Sequence, residues 1–133
     1  MADSFQVRIR ADSDIVAARQ EGRTLASRLG FSSSELALIA TAISELARNI
    51  VQYAGAGEIT VSLSHNGSRH GVTIVAHDKG PGIVDLRQAL IDGYSTSGSL
   101  GLGLPGVRRL MDEFDIVSDV GQGTTVTVTK WRW

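Results

Sequence analysis

The first thirty residues change from the hydrophobic period of a strand to that of a helix. Residues 5–9 alternate between apolar and polar side chains, which predicts a half-buried strand. Apolar residues then recur every three or four positions, so we predict a helix that is capped by Asp12 or Ser13 and runs to about Leu29. Gly30 suits the left-handed position that commonly follows a helix.

A longer amphipathic helix is predicted next. Ser32 and Glu35 have the spacing of a capping box, in which each residue's side chain bonds to the other's backbone N–H. Apolar residues then step by threes and fours as far as Tyr53. This pattern predicts a helix with one broad apolar stripe that faces the core.

The middle of the chain predicts a β-hairpin. Apolar and polar residues alternate over 59–63 and again over 72–76, and the segment HNGSRHG between them supplies turn residues. The second strand is predicted to end at Asp78, where a glycine-containing segment begins.

The last third of the chain combines helices, a glycine-rich loop and two strands. We predict a short helix over 84–91, a loop over 93–103 and a helix from Leu104 to Phe114. Two strands, 116–120 and 126–129, flank the turn GQGT.

The order of these elements indicates the fold class. One strand, two helices, two strands, two helices and two strands predict an α+β fold, a two-layer sandwich with helices on one face of a mixed five-stranded sheet. The chain has 133 residues, of which 42% are hydrophobic, which suits one core. No linker of different composition divides the chain, so we predict a single domain over residues 1–133.

Composition and charge exclude several classes of function. The 13 Lys and Arg residues are balanced by 14 Asp and Glu residues, so no basic field attracts nucleic acid. The absence of cysteine excludes disulfides, thiol chemistry and cysteine zinc sites. Neither a signal peptide nor a membrane span is apparent, so we expect a cytoplasmic protein without a membrane or nucleic-acid partner.

Two polar residues on the second predicted helix are candidates for chemistry. Glu45 and Asn49 are four residues apart, so their side chains are neighbours on a line that flanks the apolar stripe. A carboxylate and an amide presented together suit a general base and a magnesium ligand. A solvated helix flank, with Glu45 paired to Arg48, would show the same pattern.

Asp78 and the glycines after it form a second candidate site. A carboxylate at a strand end can accept a hydrogen bond from an exocyclic amine such as that of adenine. Gly80 and Gly82 allow a flat group to approach the backbone closely. An ordinary turn after a strand would use the same residue types.

Two further glycine segments complete the set of candidates. Gly98, Gly101 and Gly103 precede a predicted helix N-terminus, where free backbone amides and the helix dipole favour phosphate. A loop without a ligand would have the same composition. The turn GQGT brings the Thr124 hydroxyl beside Asp78 if the last strand is a neighbour of the strand that ends there.

These four segments occur together in the order found in a known superfamily. The motifs ELARN, DKGPG, GSLGLGL and GQGT resemble those of the GHKL superfamily of gyrase-type ATPases, heat-shock chaperone ATPases, MutL and histidine kinases. Beyond these motifs, SELARNI, DGYSTSGSLGLGLPGVRRLMDEF and a late KW look like the RsbT family, the serine/threonine kinases of bacterial stressosome signalling. This second resemblance covers essentially the whole chain.

The resemblance implies a Bergerat-type ATP-binding fold and an ATP-dependent protein serine/threonine kinase that uses ATP and Mg²⁺. It implies that Glu45 is the catalytic base, that Asn49 is the magnesium ligand and that Asp78 binds adenine. The remaining implied nucleotide-binding residues are Gly80, Gly82, Gly98, Gly101, Gly103 and Thr124.

The resemblance also implies partners. The substrate would be a serine or threonine of a STAS-domain antagonist or scaffold protein in partner-switching stress signalling, and the released kinase would activate a metal-dependent phosphatase or another downstream enzyme. The alternative is a nucleotide-gated binding module of the anti-sigma-factor type with little kinase activity. Glu45 favours the kinase, because a module that only binds has no need of a base.

Overall fold

A computed structural model describes residues 3–83 and 103–132. The predicted helix over 84–91 and the loop residues Gly98 and Gly101 lie outside these ranges. The strands and helices within them are β1 (Ser4–Ile9), α1 (Asp12–Ser27), α2 (Ser33–Tyr53), β2 (Gly57–Asn66), β3 (Arg69–Asp78), α3 (Gly103–Leu110), β4 (Glu113–Asp119) and β5 (Gly123–Arg132). None of these three helices is long and apolar enough to cross a membrane.

The strands form one five-stranded sheet in the order β1-β2-β3-β5-β4. The α+β class and the five strands are confirmed. We had predicted a mixed sheet, but every strand pairing in the described sheet is antiparallel. Short turns join β2 to β3 and β4 to β5, and such turns can only connect antiparallel strands. Between β1 and β2, the two consecutive helices return the chain to the end at which β1 finished, so β2 also runs antiparallel to β1.

The two faces of the sheet differ because apolar and polar residues alternate along each strand. Helices α1 and α2 pack on one face, as predicted, and its buried residues belong to one hydrophobic cluster with both helices. The sheet residues of this cluster are Ile9, Ile59, Val61, Val72, Ile74, Ala76, Val126 and Val128. The opposite face carries hydroxyl side chains, among which Thr73 bonds to both Ser64 and Thr129.

The start of α1 differs from the prediction by one residue. The N-cap is Ala11, which has no side-chain oxygen, rather than Asp12 or Ser13. The Asp14 carboxylate instead accepts hydrogen bonds from the backbone N–H groups of Arg10 and Ala11, at 2.9 and 3.1 Å. An acidic residue in the first turn therefore satisfies the backbone donors at and just before the cap, and no side chain caps the helix from Ala11.

The capping box at the start of α2 is confirmed. The Ser32 hydroxyl accepts a hydrogen bond from the Glu35 N–H at 3.1 Å, and the Glu35 carboxylate accepts one from the Ser32 N–H at 2.9 Å. The Ser32 backbone donor stabilises the ionised carboxylate and so lowers the pKa of Glu35. This contribution to stability is complete above the ordinary pKa of a glutamate and is lost as the pH falls through the lowered pKa.

The hairpin strands are longer than the sequence pattern predicted. Cross-strand pairing continues through His65 and His70 to Asn66 and Arg69, which leaves a turn of two residues between β2 and β3. Gly67, the first of these, has a φ of 64°, which suits glycine. Both histidines are exposed.

The helix α3 ends earlier than predicted, because Phe114 belongs to β4 and not to the helix. The three-residue spacing from Met111 to Phe114 suits a helix, but an apolar residue at position 114 also suits a strand whose side chain faces the core. Trp131 on β5 decides between the two. Its backbone N–H donates to the Asp112 carboxylate, and its indole N–H donates to Glu113, so the chain before Phe114 is attached to the sheet.

Candidate functional site

One end of the helix-covered face carries a row of small and polar residues. Gly57, Asp78, Thr124 and Ser118 are successive cross-strand partners on β2, β3, β5 and β4. The neighbouring row toward the middle of the sheet is apolar and consists of Ile59, Ala76, Val126 and Ile116. The core therefore gives way to hydrogen-bonding groups at this end of the sheet.

Asp78 is the last residue of β3, and its side chain is half-buried. Its Oδ1 accepts a hydrogen bond from the Gly80 N–H at 2.8 Å, while Oδ2 has no hydrogen-bond partner among the described residues. Thr124 is the direct partner of Asp78 across β3 and β5. The condition set by the sequence, that these two strands are neighbours, is thus met.

The segment that follows Asp78 packs between the end of α2 and the turn that joins β4 to β5. A Cβ on Gly80 would lie 2.6 Å from the side chain of Ala54, which ends α2. Gly82 has a φ of 78°, and a Cβ there would overlap the carbonyl oxygen of Asp119. The packing of the chain against itself thus gives a reason for both glycines. Their contact with a ligand stays a prediction.

Glu45 is buried between α2 and α3, with 7% of its surface exposed. The sequence placed it beside the apolar stripe, and α3 covers that flank of the helix. One carboxylate oxygen accepts a hydrogen bond from Arg48 Nη1 at 2.8 Å, and the other accepts one from the Gly103 N–H at 3.3 Å. The buried charge is therefore paired with a cation and with the N-terminal end of a helix, both of which stabilise it.

Asn49 lies one turn after Glu45 on α2 and is half-buried. Its amide makes no hydrogen bond with the described residues. No group of three or more His, Asp or Glu residues in those ranges is arranged to hold a metal. Mg²⁺ prefers oxygen ligands, and an amide oxygen together with phosphate and water oxygens suits that preference. The ligand role of Asn49 stays a prediction.

Only one residue of the predicted phosphate-binding loop lies in the described part of the chain. Gly103, with a φ of 66°, is the first residue of α3, and its N–H is directed at Glu45. The N-terminus of α3 therefore faces the flank of α2 that carries Glu45. Gly98 and Gly101 precede this helix in sequence, outside the described residues.

The sequence analysis missed Ser118, which lies beside Thr124. Its Oγ is 2.7 Å from Thr124 Oγ1 and 3.3 Å from the carbonyl oxygen of Gly123, and it accepts a hydrogen bond from the Ile83 N–H at 2.8 Å. The signal was available in the sequence, because folding the last hairpin around GQGT pairs Ser118 with Thr124.

Residues 35–132 match the family model of histidine kinase-, DNA gyrase B- and HSP90-like ATPases. The chain belongs to this ATPase family. The match includes all the candidate site residues predicted from the sequence, from Glu45 to Thr124.

Two relatives and one solved structure refine this result. The chain is 53% identical over 131 residues to the serine/threonine-protein kinase RsbT of Bacillus subtilis (strain 168), covering 98% of each chain. It is 31% identical over 120 residues to the anti-sigma F factor of Thermoanaerobacter sp. (strain X514), covering 86% of this chain and 82% of the relative. A mycobacterial sensor histidine kinase, MprB, has the same fold, with a TM-score of 0.56 at 15% identity, covering 98% of this chain and 97% of the other.

These comparisons confirm several predictions made from the sequence. The chain is a member of the GHKL superfamily and of the RsbT family within it, and its family is one of ATP-dependent protein serine/threonine kinases. The likeness to the histidine kinase supports the fold alone.

Alanine substitutions at two glycines of the last turn can test whether the close approach of β3 and β5 holds Asp78 opposite Thr124. Gly121 and Gly123 both have positive φ, 81° and 123°. A Cβ on Gly121 would meet nothing within 4 Å, whereas one on Gly123 would overlap the Asp78 carbonyl oxygen. We expect Gly121→Ala to lower the free energy of unfolding by about 1–2 kcal/mol through backbone strain alone.

Gly123→Ala should lower the free energy of unfolding by clearly more than Gly121→Ala does, because β3 and β5 must separate to admit the methyl group. Urea denaturation of both variants measures the difference. Equal losses would show that this close approach does not hold the pair in register.

Proposed function

We propose that this chain transfers the γ-phosphate of ATP to a serine or threonine of a STAS-domain antagonist or scaffold protein in partner-switching stress signalling. The observation that carries the proposal is the buried Glu45 carboxylate, which lies beside the N-terminus of α3 on the helix whose other end adjoins the Asp78 segment. The proposed base lies on α2, and the segment after the proposed adenine-binding carboxylate contacts the end of α2, so one helix positions both groups. We take residues 1–133 as one ATP-binding kinase domain of the cytoplasm.

The distance along α2 suits an extended nucleotide. Ala54, which contacts the position of Gly80, comes nine residues after Glu45. At the rise of an α-helix this is about 13 Å along the axis. The adenine end and the phosphate end of the site are therefore separated along the helix, as the two ends of one ATP molecule require.

Asp78 and Thr124 would bind the adenine end. A carboxylate only accepts hydrogen bonds, and the available Oδ2 of Asp78 suits the exocyclic amine of adenine. The adjacent position in the row is Gly57, where a Cβ would lie 2.9 Å from Ile50 and 3.1 Å from the Asp78 side chain, so a glycine there lets β2 pack closely beside Asp78. Gly80 and Gly82 would line the same pocket, and the Thr124 hydroxyl would contact the base beside the carboxylate.

The N-terminus of α3 would bind the phosphates. Its first backbone N–H groups and its dipole favour an anion, and Gly98, Gly101 and Gly103 would leave the backbone open to close approach. The amide oxygen of Asn49 would hold Mg²⁺. When bound, Mg²⁺ would supply neutralisation of phosphate charge and would orient the phosphates.

Glu45 would act as general base. It would take the proton from the substrate hydroxyl while that oxygen bonds to the γ-phosphorus and the bond from this phosphorus to the bridging oxygen of ADP breaks. Arg48 holds one carboxylate oxygen in place, which fixes the direction of the other. That second oxygen now accepts from the Gly103 N–H and would exchange this contact for the substrate hydroxyl.

A second candidate function is favoured by the anti-sigma F factors among the relatives. In that case the chain would be a nucleotide-gated binding module with little kinase activity. We further propose, from its membership of the RsbT family, that the chain released by its phosphorylated antagonist activates a metal-dependent phosphatase or another downstream enzyme. The Glu45 experiment below separates the kinase from the binding module.

Asp78→Asn should weaken ATP binding. The amide places two donors where the base also donates, and an unmatched polar group costs about 1–3 kcal/mol, which corresponds to about a five- to 150-fold loss of affinity. Asp115→Asn is the matched control, because Asp115 is exposed on the opposite face of the sheet. Isothermal calorimetry measures both. Parental ATP affinity in Asp78→Asn would refute the adenine assignment.

Asn49→Ala should weaken the binding of Mg-ATP more than that of metal-free ATP, because it removes the proposed protein ligand of the metal. Gln52→Ala, at an exposed position of the same helix, should change neither affinity. Titrations with Mg²⁺ and with EDTA give the two affinities for each variant. Equal losses in both titrations would contradict the ligand role.

Glu45→Gln should lower phosphorylation of the partner by at least about a hundredfold, the smaller contribution of a positioned base, with ATP affinity nearly unchanged. The glutamine keeps the size and an acceptor for Arg48, and Glu21→Gln on the exposed face of α1 is the control. Purified STAS-domain proteins are incubated with γ-labelled ATP, and the labelled residue is mapped. Circular dichroism verifies that each variant is folded.

Phosphorylation by Glu45→Gln at the parental rate would exclude the base assignment. A parental chain that binds ATP and a STAS-domain protein without labelling it would favour the binding module.

A further inference from the structure

The hydroxyl of Ser118 occupies an unusual position on the edge strand β4. Phe114 and Ile116 are the preceding inward-facing residues of this strand, and both pack against the core. Ser118 is the next residue on the same face of β4, at the polar end of the sheet, and it is half-buried. At this position the strand carries a hydroxyl instead of an apolar side chain, and the hydroxyl hydrogen-bonds to two other parts of the chain.

Building on the proposed function, we propose that Ser118 is a positioning residue of the nucleotide site, which holds the Thr124 hydroxyl and the chain after Asp78 in the arrangement that binds the base. Ser118 would not touch ATP itself. It would act through Thr124 and through the backbone at Ile83.

The hydrogen atoms at Ser118 limit what Thr124 can do. A serine hydroxyl has one hydrogen and two lone pairs, and the Ile83 N–H takes one lone pair. If Ser118 donates to Thr124, the Thr124 hydrogen is available to a ligand. If Ser118 donates to the Gly123 carbonyl, Thr124 donates to Ser118 and offers only lone pairs. Thr124 can therefore present either a donor or an acceptor without moving its oxygen.

The contact with Ile83 joins Ser118 to the segment that follows Asp78. The same segment is attached to the last turn by the hydrogen bond from the Gly121 N–H to the Pro81 carbonyl, at 2.8 Å. Both of those groups belong to the backbone, whereas the hydrogen bond from Ile83 to Ser118 joins the same segment to a side chain of β4. Removing its hydroxyl would leave a half-buried N–H and the Thr124 hydroxyl without a shared partner.

The test is a double-mutant cycle on ATP affinity, measured by calorimetry at a temperature at which all variants are folded. Ser118→Ala and Thr124→Val should each weaken ATP binding by about tenfold. The double variant should bind more tightly than the product of the two single losses, about a hundredfold, would give, because the part of the Ser118 effect that acts through Thr124 is already absent in Thr124→Val. Ser118→Thr keeps the hydroxyl and should restore affinity to within about threefold of the parental value.

Ser64→Ala is the matched control. It removes a serine hydroxyl that bonds Thr73 at 2.6 Å on the opposite face of the sheet, and it should leave ATP affinity unchanged. If Ser118→Ala does not fold, Ser118→Cys replaces it, with the same expected loss, because a thiol is a weak donor of similar size.

Parental affinity in Ser118→Ala would overturn the proposal, as would losses in the two single variants that add fully in the double variant. An equal loss in Ser64→Ala would also overturn it, since the effect would then be one of general stability. These results all leave a chain that binds ATP, and the proposed kinase function would stand. A parental chain that binds no ATP would instead refute the proposed function, and this inference with it.

Discussion

The register between β3 and β5 is the constraint on which the candidate site depends. Asp78 lies opposite Thr124 because Ile74 and Ala76 pair with Val128 and Val126 in the apolar layer under the helices. A shift of β5 by one residue would move Val126 and Val128 to the other face of the sheet, which burial of the core prevents. The hydrophobic effect thus sets the position of two polar residues that it does not itself bury.

The helix α2 connects that end of the sheet to the other group of candidate residues. Its apolar residues Ile43 and Ile50 pack in the core, and its last turn contacts the segment after β3. Because the helix is rigid over this length, the packing of its apolar stripe also sets where Glu45 and Asn49 lie relative to Asp78. A single element serves both the core and the site, so changes in one are expected to affect the other.

The polar groups of the site are largely held by each other before any ligand binds. Glu45 is paired with Arg48 and with the end of α3, and Asp78 with its own turn. No fully buried side-chain nitrogen or oxygen lacks a hydrogen-bond partner within residues 3–83 and 103–132. Preorganised groups of this kind lose little freedom when a substrate arrives, which is how a small domain can stabilise a charged transition state.

The sequence by itself determined the periods of the strands and helices, the capping box at Ser32, the family, and the segments that carry Glu45 and Asp78. These follow from local spacing, since hydrophobic period and caps depend on neighbours along the chain. Only the tertiary structure decided that the sheet is antiparallel throughout, that Phe114 belongs to a strand, that α3 buries Glu45, and that Ser118 joins Thr124 to the chain after Asp78. Each of these results depends on contacts between residues far apart in sequence, and the hydrophobic period is the same whichever partner lies opposite.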